Sequence, residues 1–97
     1  MPVWICTVHA KNNLLDGPFK NYKGVIVNAF TYSENKEIAI ENITQELSKY
    51  FLKVISIDDL EIFHKNKFFQ IKRLRKLAAN SQKHFTTEFD IFYTYEE

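Results

Sequence analysis

The sequence predicts an α+β domain. It is read as a two-layer sandwich in which a four-stranded, mostly antiparallel sheet carries two helices on one face, in the order strand, strand, helix, strand, helix, strand. Three observations predict it. Stretches rich in β-branched and aromatic residues alternate with stretches whose apolar residues recur every three or four positions. The chain has 97 residues, a length that suits one domain. No repeat, low-complexity tract or linker divides it, so residues 1–97 are read as a single unit.

The elements follow in order. "VWICTVHA" at 3–10 is β-branched and aromatic and reads as the first strand. "KNNLLDGPFKN" carries Asn-Asn, Asp-Gly and Gly-Pro, the punctuation of a loop. "YKGVIVNAFTY" is the second strand, close enough in sequence to pair antiparallel with the first. Then the period changes. Ser33 is a candidate N-cap, and Ile40, Ile43, Leu47 and Tyr50 recur at spacings of 3, 4 and 3, the stripe of an amphipathic helix. "LKVISIDDLEIF" is a third strand that the Asp pair is expected to interrupt. A second helix starts near Asn66, with Phe68, Ile71, Leu74 and Ala78 inward. "HFTTEFDIFYTYEE" alternates: Phe89, Ile91, Tyr93 and Tyr95 are expected to face the helices, and Glu88, Asp90, Phe92, Thr94 and Glu96 to face away.

Composition explains how so short a chain can hold a core. Apolar residues make up 45% and aromatic ones 15%, and large rings remove much area from water per residue. Two Gly and two Pro argue against disorder. One cysteine, Cys6, cannot make an internal disulfide, which suits a reducing compartment. "MPVWICTVHA" lacks the charged and apolar regions of a leader peptide, and no apolar run reaches the length of a membrane span. A soluble, cytoplasmic protein is expected.

Five features invite a chemical reading. Lys23-Gly24 followed by Phe30 partly matches the aromatic signature of RNA-recognition strands. The positions that should stack bases, however, are Val25 and Val27, which have no π-face. On the second helix, Lys72, Arg73 and Lys76 share one side and could grip phosphates or simply stay solvated. His9, His64, His84 and Cys6 are scattered without metal-ligand spacing, and the glycines cannot form a phosphate loop. Asp58 and Asp59, adjacent in a strand, point to opposite faces and cannot share a proton task; in a turn they could come together, but a polar strand end is the expectation. No nucleophile–base pairing stands out, so neither an enzyme nor a cofactor is expected.

The outward residues of the last strand, Glu88, Asp90, Phe92, Thr94 and Glu96, are an acidic stripe around one aromatic. That is the composition of an apolar anchor in a polar rim. The other reading is that Phe92 is covered by its own loop, "LLDGPF". Basic residues gather between His64 and Thr87, and acids concentrate elsewhere, a bipolar charge distribution. In size, composition and charge segregation the chain resembles the small single-domain immunity proteins that bacteria encode beside secreted toxins. The resemblance implies a non-enzymatic protein that binds and neutralises a cognate toxin with a basic surface. The open sheet face would serve that partner or a second copy of the chain. The alternative is a small nucleic-acid-binding regulator that uses Lys72, Arg73 and Lys76.

Overall fold

In the computed structural model, residues 2–12, 16–64 and 72–96 are described. Strand β1 (Val3–Asn12) pairs antiparallel with β2 (Gly24–Tyr32) in unbroken register from Val3↔Tyr32 to Lys11↔Gly24. Helix α1 (Lys36–Ser48) follows. Strand β3 (Leu52–Ile62) pairs with the other side of β1. Helix α2 (Lys72–His84) leads to two short strands, β4 (Thr87–Phe89) and β5 (Tyr93–Tyr95), both against β2. The sheet order is β3-β1-β2-β4, with β5 also on β2. This is a small α+β domain with two helices packed on an antiparallel sheet. Among the described residues, no helix is long and apolar enough to cross a membrane.

The helices, however, are divided between the two faces of the sheet. Side chains alternate along a strand, and β1 sends Cys6, Val8 and Ala10 to one side and Val3 and Ile5 to the other. Ile43 and Leu47 of α1 pack on the first set together with Val25, Val27 and Ala29. Leu74 and Ala78 of α2 pack on the second together with Phe30. The cause is visible in β1, where Val3, Trp4, Ile5 and Cys6 are apolar without alternation, as in a strand covered on both sides.

Local chemistry explains the remaining differences. Asn35 caps α1, its side chain accepting from the amide of Ile38 at 2.9 Å. Ser33 is instead buried, and its hydroxyl donates to the Asn35 carbonyl at 2.8 Å. The buried stripe of α1 is Ala39, Ile43 and Leu47, while Ile40 is exposed. Small Ala39 lets the helix sit close to the sheet, which turns Ile40 outward. Strand β3 carries two irregularities, opposite Ile5/Thr7 and His9/Ala10. Asp59 takes the first, in the left-handed region at φ 56°, which short polar side chains tolerate better than most. Asn66, Phe68 and Ile71 lie outside the described residues; Leu74 and Ala78 are buried as expected.

The last strand departs most. β4 pairs Ala29 with Phe89, whereas β5 pairs Val25 with Thr94 and Ile26 with Tyr93, so one extra residue sits between them. This bulge reverses the facing of everything after it. Phe89 and Phe92 therefore lie on the same side, their rings 5.5 Å apart. Both pack against the α1-side core. Ile91 and Tyr93, expected inward, are 51% and 62% exposed.

Candidate functional site

Helix α2 covers only one end of its face, over Val3, Ile5 and Phe30. The register defines what lies at the other end. Across one row stand Ser56, His9, Ile26 and Tyr93; across the next stand Lys53, Lys11, Gly24 and Tyr95. Ile26 and Tyr93 are exposed, His9 and Tyr95 half-buried, and Lys11 and Lys53 exposed. His9 Nε2 and the Tyr95 hydroxyl share a hydrogen bond, with their rings 5.4 Å apart. This bond ties β5 to β1 across β2. Beyond His9, Thr7 donates to Asn28 at 3.0 Å, and Asp58 stands opposite Thr7 on β3. The result is a patch of rings and one Ile, with a polar rim of both signs.

Gly24 is required by this arrangement. A Cβ there would lie 2.5 Å from the Ala10 carbonyl oxygen and would also strike the Tyr95 hydroxyl. Lys23-Gly24 is thus followed by a close packing contact. Val25 and Val27 are buried in the α1-side core, where no base could reach them.

The structure does not keep the acidic stripe together. Glu88 lies opposite Phe30 on the α2 side, while Thr94 lies opposite Val25 on the α1 side. The Glu88 carboxylate accepts from the Thr86 hydroxyl at 2.7 Å. Asp90 has a side chain only 5% exposed, and it accepts from Arg73 Nε at 2.7 Å and Nη2 at 3.1 Å. The stripe and the basic helix therefore meet in one ion pair. Phe92 is half-buried among Phe19, Phe89 and Tyr50, the nearest ring being Phe19 at 4.9 Å. Its loop covers it. Thr94 and Glu96 are exposed, as are Lys72 and Lys76, while Arg73 is committed to Asp90.

The exposed ring that alternation missed is Tyr93. A signal for it exists: Ile91, Phe92 and Tyr93 are three apolar residues in a row, which strict period-two patterning cannot place. Among the described residues no three His, Cys, Asp or Glu gather as metal ligands. In comparisons with known proteins, no family model, no curated protein and no solved structure matches the chain.

Proposed function

We propose that this domain is a non-enzymatic protein-binding module. It acts as small immunity proteins do, by covering a site on its partner. The contact surface is the uncovered end of the α2 face, and one observation carries the reading. The bulge between β4 and β5 turns Tyr93 outward beside Ile26, giving an exposed aromatic and an exposed aliphatic residue side by side on the sheet. Aromatic anchors of this kind dominate interface energies. The acids contribute less than the composition suggests, because Asp90 is neutralised by Arg73 and Glu88 is held by Thr86. Glu96 remains as an acidic neighbour for a basic partner.

The test is co-expression with the product of the neighbouring gene, followed by affinity measurement. Tyr93→Ala and Ile26→Lys should each weaken binding by about 2 kcal/mol. Ile40→Ala, on the exposed side of α1, should not. Thermal melts of all three should stay close to wild type, since exposed side chains change stability little. Full affinity in both face variants would sink the proposal. Loss of a homodimer in Tyr93→Ala, seen by sedimentation, would assign the face to a second copy instead.

A second reading is favoured by the rings of His9, Tyr93 and Tyr95 standing beside Lys11 and Lys53. Rings for stacking and lysines for phosphates are what a single-strand nucleic-acid platform uses. It ranks second because Ile26 has no π-face to stack on and Asp58 on the same face would repel phosphate. Binding of an oligonucleotide that falls steeply with salt would select it.

A further inference from the structure

We propose that the cleft between α2 and the start of β1 binds a small amphiphilic anion, an apolar chain or ring carrying one carboxylate or phosphate head. The cleft has a volume of about 710 Å³, within the range of small-molecule sites. Its apolar surface comes from Pro2, Val3, Phe63, Ala78 and Ala79. Its polar surface comes from Lys72, Arg75, Lys76 and Gln82, so among the described residues every charged lining residue is a cation. Lys72, Arg75, Lys76 and Ala79 follow at i, i+3, i+4 and i+7, which places them along one side of the helix. Leu74 and Ser81 are buried on a different side.

Arg75 supplies the second observation. Its Nε is buried and donates to no partner among the described residues. Buried donors are nearly always satisfied, and an unmet one is unfavourable. An anionic head in the cleft would meet the Arg75 guanidinium together with Lys72 and Lys76, and a turn of the Arg75 side chain would bring its Nε, closed to solvent in the unliganded chain, into that contact. The neighbouring cation is engaged elsewhere, since Arg73 is held by Asp90. Cations alone would suit a nucleic-acid backbone, but that needs a charged track. Here the cations border a concave apolar floor, which calls for a ligand with an apolar body.

The experiment uses the full chain and four probes: decanoate, dodecyl phosphate, decanol and decyltrimethylammonium, each below its micelle concentration. Titration by calorimetry, with amide chemical shifts read in parallel, should show one saturable site for at least one of the two anions. Shifts should centre on Val3, Phe63 and α2. Decanol should bind at least tenfold more weakly, and the cation should not bind. Arg75→Gln and Lys76→Gln should each weaken the anion fivefold or more, and Ala79→Trp should abolish binding by filling the floor. If Arg75→Gln fails to fold, the exposed Lys76 and Ala79 positions still decide the matter. Which anion binds distinguishes a carboxylate from a phosphate head. Equal affinity for decanol, unchanged affinity in the Lys76 and Ala79 variants, or no saturable binding of either anion would overturn the proposal.

Discussion

Two single residues show how tightly the interior is specified. Cys6 lies in the α1-side core, and burial pushes its thiol from the ordinary 9.0 up to about 12, while a backbone hydrogen bond at Ala29 works in the opposite direction. Below pH 9 folded and unfolded chains both keep this proton, so the thiol adds no pH dependence there. Between pH 9 and about 12 the unfolded chain releases it and the folded chain does not, so stability falls as pH rises. Urea melts at pH 8.5 and 10.5 should show wild type losing about 1–2 kcal/mol more than Cys6→Ala over that interval. Equal losses would mean that the thiol ionises freely in the fold. Gly24 is constrained by space alone. The Ala10 carbonyl that a Cβ would meet belongs to the central strand and cannot swing away. Gly24→Ala should therefore cost about 2 kcal/mol, read as a lower urea midpoint with an unchanged slope. The sequence marks this glycine plainly, but the reason for it, a tyrosine hydroxyl arriving from 71 positions further on, depends on the register of the last strand.

At the scale of elements, positions were legible and facings less so. The first three strands and α1 lie where hydrophobic period and turn chemistry place them, and α2 carries Leu74 and Ala78 inward as expected, its expected start near Asn66 lying outside the described residues. The last strand exposes the limit of that reasoning. Period-two alternation has no memory of an inserted residue, and one bulge between Phe89 and Tyr93 reverses every facing that follows. Phe92 thus changes from expected anchor to structural ring. Phe89→Ala and Phe92→Ala should both destabilise the fold, by about 2–3 kcal/mol each because the rings are half-buried. Ile91→Ala, at an exposed position, should stay within about 0.5 kcal/mol of wild type. Calorimetric melts of the three variants check the order. A normal melt for Phe92→Ala would return that ring to the surface. The ion pair between Arg73 and Asp90 was legible only as two separate charge clusters. Their meeting depends on how α2 lies over the β2–β4 edge, and neither cluster carries that information by itself.

For the whole molecule, the α+β class follows from the alternation of periods. The division of helices between faces depends on a subtler cue, the unbroken apolar run from Val3 to Cys6. One sheet consequently separates two unequal cores. On the α1 side Val8, Ala10, Val25, Ala29, Ile43 and Leu47 are fully excluded from water. On the α2 side the cluster of described residues is smaller, and Val3, Ile5, Leu74 and Ala78 each keep slight exposure. Among the described residues fewer fully buried apolar side chains lie under α2 than under α1, and the sheet needs neither the Arg73 pair nor Leu74 to keep its own ladder. Such a molecule can open on one side while the other stays folded. Native-state hydrogen exchange should show α2 amides opening at lower free energy, and with a weaker urea dependence, than those of α1 and β1. A single opening energy shared by both helices would mean that the two cores melt as one. If α2 does open alone, Val3, Ile5 and Phe30 become transiently accessible in an otherwise native chain. Protease cutting within α2, at a rate proportional to that minor population, would then be the first step of its turnover.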